Sequence, residues 1–276
     1  MNEAELRERI VAIAHDAKFD AVAVSVYDYE RKREFDHDSA RSFHAASTIK
    51  VAILLAIYKL AEDGRIHLDD TLHVRNRFRS LIESEVFRVA ASRDADGEVH
   101  QRLGRSMRIR DLARAMITRS SNLATNVLLD YLGIERVQAI LNEAKIDGVR
   151  LVRGVEDNAA FEKQMNNEVT ATGLVQLFRL CCERGYLRAE TRGEIIEVLS
   201  AQEFNNMIPA GVPASAKVAH KTGEISTVCH DAGIVFLSAR APWIVAILTE
   251  MPATIETRHK TVAAVARAIC EFVVNE

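Results

Sequence analysis

Apolar positions near the start of the chain change period twice. Leu6, Ile10, Ile13 and Ala14 recur at helical spacing within residues 4–17, and Ala21-Val22-Ala23-Val24-Ser25-Val26-Tyr27 then runs almost unbroken, as a buried strand does. A polar stretch at 30–33 follows, which predicts helix, strand, turn and a second strand. From Ser47 to about Ala201 the spacing turns helical. Segments 48–62, ending near Gly64, 110–118, 122–132, ending at Gly133, 135–144 and 170–184 read as helices, with few strand-like runs between them. Strands return at 216–220, 232–237 and 243–249, the last two joined by the turn-prone Ser238-Ala239-Arg240-Ala241-Pro242. A closing helix over 256–274 aligns Val262, Val265, Ala266, Ile269 and Phe272 on one face.

Strands at the two ends of the chain must pair to complete one sheet. The expected fold class is therefore α+β: an antiparallel sheet flanked by the N- and C-terminal helices, with an all-α domain inserted between its strands. The corresponding boundaries are 1–45 with 209–276 for the discontinuous sheet domain and 46–208 for the helical one. No internal repeat, low-complexity tract or Pro/Gly-rich linker interrupts this plan.

Composition narrows the classes of function. The 276 residues are 48% hydrophobic and 27% charged, with a formal net charge of -3. That balance suits a globular chain with a buried core and leaves no basic surplus for a phosphate backbone, so nucleic acid is not an expected partner. The longest apolar run, 51–57, is far too short to span a bilayer. Cys181, Cys182, Cys229 and Cys270 lack metal or disulfide-framework spacing and read as free thiols. The N-terminus is charged and amphipathic, without the apolar core of an export signal, so a cytoplasmic protein is expected. A periplasmic or secreted location would require a trimmed signal.

Three short stretches carry the candidate chemistry. Ser47-Thr48-Ile49-Lys50 opens an apolar helix, placing a hydroxyl and an amine one turn apart, with the serine in the positive field of a helix start. Alone it is weak, since a serine three residues before a lysine arises about once by chance in a chain this long, and Ser47 could be a helix cap with Lys50 exposed. Ser120-Ser121-Asn122 falls at another helix start, where either serine could cap. Lys221-Thr222-Gly223 follows the strand 216–220, and such a triplet is expected by chance in only about one chain in twenty.

Together, in this order, the boxes S-x-x-K, S-x-N and K-T-G resemble those of serine β-lactamases and penicillin-binding proteins, and the stretch from Phe43 to Val51 looks closest to class A β-lactamases. The resemblance implies a β-lactamase/transpeptidase-like fold and a serine hydrolase that opens a β-lactam amide, or a related amide or ester, through an acyl-enzyme on Ser47. It implies that the three boxes converge on one reacting carbon. Ser47 is then the nucleophile, and Lys50 its base if burial or neighbouring positive charge lowers the amine's pKa; otherwise a carboxylate must act through a water. Ser120 relays a proton to the leaving nitrogen, Asn122 holds the substrate carbonyl side, and Lys221, Thr222 and Gly223 bind the substrate carboxylate and admit the backbone. The backbone N–H groups of Ser47 and Glu224 form the oxyanion hole. This chemistry calls for no cofactor or metal. The expected partner is a small molecule, with no membrane or nucleic acid, and the expected state is a monomer or weak dimer.

The chain departs from class A in four places. The glutamate that activates the deacylating water has two candidates, Glu156 and, second, Glu162, because the usual loop spacing is not reproduced. The charged segment 75–104 is longer than usual. Ser121 replaces an aspartate in the middle box, and the acid Glu224 follows the last box, where it should repel anionic substrates. Two alternatives follow: an intracellular esterase, amidase or peptidase of the same fold, and a penicillin-binding or sensor module that acylates and stops. A Ser-His-Asp arrangement built on His44, His220 or His230-Asp231 lacks the G-x-S-x-G elbow that usually presents its serine.

Overall fold

The computed structural model describes residues 1–82 and 85–275. Five strands form its main sheet: β1 (Ala21–Asp28), β2 (Arg33–His37), β3 (Lys217–Ile225), β4 (Val228–Leu237) and β5 (Arg240–Glu250), in the spatial order β3-β4-β5-β1-β2. All neighbours are antiparallel, so the two ends of the chain meet at the β1–β5 pair, with Ala21 opposite Glu250 and Asp28 opposite Trp243. The expected α+β plan is the one observed, except that the inserted unit is not all-α: short antiparallel pairs join Thr71–His73 to Ser106–Arg108 and Phe78–Arg79 to Val86–Phe87.

Two compact units divide the chain. The sheet-bearing unit comprises Met1–Thr48, Val169–Arg179 and the stretch from Phe204 onward; the helical unit comprises Ile49–Glu168 and Leu180–Glu203. Val169–Arg179, within the stretch read from sequence as helical domain, thus groups with the sheet.

In the sheet-bearing unit, helices Glu3–Asp16 and Arg258–Asn275 pack together and supply Leu6, Ile10, Val262, Val265, Ile269 and Phe272 to a core that also takes Val22, Val24, Val26 and Trp243. The first helix starts with a capping box: Asn2 accepts from the Glu5 N–H at 3.0 Å while Glu5 accepts from the Asn2 N–H at 2.9 Å. Pro242 lies inside β5 rather than in a loop, next to the irregular pairing between Val235 and Leu237, where a missing N–H is tolerated. The reverse turn is therefore shorter than the sequence suggested, and strand pairing resumes at Arg240.

In the helical unit, helix Lys50–Glu62 is the hub. Residues Val51 through Ile57 are wholly buried, because helices Ile109–Thr118, Asn122–Leu132, Ile134–Glu143 and Ala189–Ser200 surround it. A helix covered on all sides needs no polar face, which explains the unbroken apolar run. Helix Ala189–Ser200 escaped sequence reading because its charged residues dilute the apolar repeat; only Ile195, Val198 and Leu199 are buried. No described helix is long and apolar enough to cross a membrane. Cys181, Cys229 and Cys270 are buried thiols outside any disulfide, and Cys182 is half-buried.

Gly233 in β4 pairs with His220 in β3, and a Cβ there would lie 2.5 Å from both the Ala219 carbonyl oxygen and the His220 Cβ. Gly233→Ala should lower stability by about 1–3 kcal/mol, read as a lower urea midpoint. An unchanged midpoint would show that the β3–β4 pairing is looser than described.

Candidate active site

Ser47 lies in a short 3₁₀ turn, Ala46–Ile49, that feeds directly into helix Lys50–Glu62, so the α-helix begins two residues later than the sequence pattern suggested. Ser47 is partly exposed. The turn is held from within the sheet-bearing unit. Thr48 donates through its N–H (3.1 Å) and hydroxyl (2.6 Å) to the Ala45 carbonyl, and the Ala46 N–H donates to His44 Nδ1 at 3.1 Å. Ala46 has φ +45°, a left-handed conformation that costs a residue with a Cβ about 1–3 kcal/mol.

The last box sits inside β3, not after a strand as the sequence suggested, because β4 begins early enough to pair Lys221 with Ala232, Thr222 with Asp231 and Gly223 with His230. Gly223 shows why the box needs glycine. A Cβ there would stand 2.9 Å from the Thr48 backbone nitrogen and 3.1 Å from that of Ser47. Backbone from the last box therefore presses on the turn bearing the serine. Lys221 and Thr222 are both buried, and Lys221 Nζ donates to the Thr222 carbonyl at 2.8 Å.

In the helical unit, Lys50 has no exposed surface. Its Nζ donates to three oxygens: the Ser120 carbonyl at 2.7 Å, Ser120 Oγ at 3.1 Å and Asn122 Oδ1 at 2.8 Å. Burial is the largest influence on this amine and lowers its pKa to about 7, against the opposing pull of Asp94 and then Glu156. The exposed helix-start lysine considered from sequence is thereby excluded.

The neighbouring serines divide the two roles open to them. Ser121 is the cap of helix Asn122–Leu132, accepting from the Ala124 N–H at 3.2 Å, while Ser120 stands one residue ahead at φ +57° with its hydroxyl on Lys50.

Glu156 is fixed by the loop that carries it. Asn126 clamps Val155 in both directions, at 2.9 and 2.8 Å, and Asn167 accepts from the N–H groups of Val152 and Arg153. Gly154 passes so close to Asn126 that a Cβ would lie 2.9 Å from its Oδ1. Held in this way, Glu156 (φ +63°) accepts from Asn122 Nδ2 at 2.8 Å, and so shares Asn122 with Lys50. Glu162 is exposed at the end of the short helix Asn158–Glu162. Arg153 donates to the Met165 and Gly154 carbonyls and to Asn166 Oδ1.

The histidines serve the scaffold. His230 Nδ1 accepts from the Thr249 N–H at 3.1 Å and Nε2 donates to the His44 carbonyl at 3.0 Å, so backbone groups occupy both ring nitrogens. Burial lowers its pKa to about 4 and keeps it neutral. His220, fully buried, donates to Asp231 at 2.8 Å, and Asp231 also accepts from the Ile208 N–H. Neither geometry supplies a base to a serine. Glu224 directs its carboxylate to Arg258 at 3.3 Å and His259 at 2.8 Å, which weakens the anion repulsion expected of it. Its oxygen, Cys229 Sγ and His259 nitrogen lie within 4.8 Å of one another. Arg258 already balances the carboxylate and burial pushes the thiol pKa up, a setting that suits an ion pair better than a cation.

Sequence reasoning missed Asp94 and Asp96, both in the charged segment 75–104. Asp94 Oδ1 accepts from the Asn122 N–H at 3.0 Å, and Asp96 Oδ2 lies 3.2 Å from Arg119 Nε. Only the density of charge in that segment hinted at them.

Residues 5–273 match the profile of the Beta-lactamase enzyme family. A β-lactamase of Bacteroides uniformis is 23% identical over 279 residues, covering 96% of this chain and 90% of that protein. An acyl-enzyme complex of a PBP-A mutant with penicillin G aligns with a TM-score of 0.83 at 21% identity, covering 99% of this chain and 97% of that one. The β-lactamase from Sphaerobacter thermophilus DSM 20745 aligns with a TM-score of 0.83 at 20% identity, covering 100% and 99%. These structural likenesses establish a shared fold, and the profile spans all but the extreme ends of the sequence: the chain belongs to the β-lactamase enzyme family.

Proposed function

We propose that this protein is a serine hydrolase that opens the amide of a β-lactam through an acyl-enzyme on Ser47. The observation that carries the reading is the environment of Lys50. An amine that is completely buried and lowered to a pKa of about 7, three residues after a partly exposed serine, can be neutral at physiological pH; with two N–H donors left instead of three, it then has a lone pair to take a proton from that serine.

Ser47 Oγ attacks the lactam carbonyl carbon while its proton passes to neutral Lys50, and the carbonyl oxygen becomes an oxyanion facing the N–H groups of Ser47 and Glu224. The C–N bond then breaks. Ser120, hydrogen-bonded to Lys50, gives its proton to the leaving nitrogen and regains one from the lysine. Glu156 next takes a proton from a water whose oxygen attacks the ester; Ser47 leaves and recovers that proton from Glu156, giving a ring-opened amino acid and restoring both groups. Asn122 orients the substrate from the carbonyl side, Lys221 and Thr222 receive its carboxylate, and Gly223 keeps the backbone close. No cofactor enters any step.

A chromogenic cephalosporin should be hydrolysed above background, and Ser47→Ala should abolish both turnover and the covalent adduct seen by intact mass. Absence of both in the parent protein removes β-lactams as substrates. A stoichiometric adduct that never decays selects the binding module instead.

Lys50 acts as a base only when neutral, so its lowered pKa sets the sign of the pH dependence. Single-turnover acylation should rise with pH, reach half its maximum near pH 7 and level off above. A profile flat from pH 5 to 9 would assign the base elsewhere.

Glu156→Gln keeps an acceptor for Asn122 but cannot accept the water's proton. Deacylation should fall on the order of 10²–10⁴-fold while acylation persists, so the adduct accumulates. If the adduct clears at the parent rate, Glu162→Gln is the variant to measure next.

A further inference from the structure

Ser120 holds Lys50 while sitting in a strained backbone conformation, and the segment on either side of it is gripped by the charged stretch 75–104. On one flank, Asp96 is 1% exposed and its carboxylate lies 3.2 Å from Arg119, the residue before Ser120; Arg119 also donates to Glu98 at 2.9 Å. On the other flank, the Asp94 side chain is wholly buried. Its Oδ1 accepts from the N–H groups of Asn122 at 3.0 Å and of Asp96 at 3.2 Å. Its Oδ2 accepts from the Leu123 N–H at 2.9 Å and Ser121 Oγ at 3.4 Å, and faces His100 Nε2 at 3.1 Å.

The Ser121 side chain caps its helix through the Ala124 N–H. The Asn122 and Leu123 N–H groups, the next unpaired donors of that helix, are taken by a carboxylate that arrives from more than twenty residues upstream. The two residues touching Lys50, Ser120 and Asn122, are thus bracketed by Asp96 through Arg119 and by Asp94 directly.

We propose that Asp94 is a positioning residue, a carboxylate supplied by the charged 75–104 segment that anchors the start of helix Asn122–Leu132 and thereby holds Ser120 and Asn122 on the Lys50 amine. Its catalytic consequence rests on the reading of Lys50 as the base for Ser47. Its structural part does not. The charged groups acting on Lys50 are Asp94 and Glu156, and those facing Asp94 include His100, with the Asp96–Arg119–Glu98 cluster beyond.

The test uses the whole chain with Asp94→Asn, which keeps the shape and removes the charge, and Asp94→Ala, which also removes the acceptors. Lys50 is titrated directly by carbon-13 NMR of its Cε, with Lys50→Arg to assign the signal, and single-turnover acylation by a chromogenic cephalosporin is followed against pH. Losing a negative charge disfavours the ammonium, so Asp94→Asn should move the Lys50 midpoint to lower pH and shift the acid limb of acylation by the same amount. Asp94→Ala should in addition lower the acylation plateau on the order of tenfold to a hundredfold, as expected when catalytic groups drift from alignment. A general loss of stability cannot mimic the shift in midpoint. An unmoved Lys50 midpoint in the folded Asp94→Asn protein overturns the proposal. So does an unchanged plateau in a folded Asp94→Ala protein. If the parent protein forms no adduct with any β-lactam, the proposed reaction fails, while the NMR titration still decides the role of Asp94.

Discussion

One buried amine governs the arrangement of the helical unit. Lys50 opens a helix whose next seven residues are wholly buried, so its nitrogen cannot reach water along its own helix and must find acceptors on other segments. Three oxygens from Ser120 and Asn122 meet that need. The start of helix Asn122–Leu132 must then lie close to that of Lys50–Glu62, and Asn122, with its carbonyl committed to the lysine, has an NH₂ left to hold Glu156. The placement of Ser120 and Asn122 follows from desolvating one nitrogen.

Rigidity is supplied where the backbone is strained. Among the eight described non-glycine residues with left-handed backbone, Ala46 precedes the proposed nucleophile, while Ser120 and Glu156 are themselves proposed to take part in the reaction. A conformation costing about 1–3 kcal/mol persists only where its surroundings over-determine it. At Ala46 the surroundings are His44 and the Ala45 carbonyl turn; at Glu156 they are Asn126 and Asn167; at Ser120 they are the carboxylates of Asp94 and Asp96. Strain of this kind aims a side chain in a direction that a relaxed turn would not.

The sheet, its two flanking helices and most of the inserted helices were legible because each has one dominant period, 2.0 or 3.6, over enough residues to stand out. Helix Asn122–Leu132 could be bounded to the residue because Ser121 caps it and Gly133, at φ +83°, ends it. The limits of the last box were not legible: whether Lys221-Thr222-Gly223 lies in or after a strand depends on how early β4 begins, and that is settled by pairing across the hairpin rather than by either sequence alone. Likewise Glu156 and Glu162 look alike in one dimension. They differ only because Asn126, Asn167 and the bare backbone of Gly154 steer the loop so that one carboxylate meets Asn122 and the other faces solvent.

The charged segment 75–104 shows the same limit in its strongest form. Charge runs are normally solvated faces, and the local sequence around Asp94 gives no sign of an exception. What converts Asp94 into a buried acceptor is a requirement located elsewhere: a helix that starts inside the protein leaves N–H groups which its own cap cannot all satisfy. Ser121 carries no charge, and the anion at this helix start comes from another part of the chain, bringing its own donors, His100 and the Asp96 N–H, to complete its shell. The need is thus created by one sequence position and met by another, which is why neither position reveals it alone.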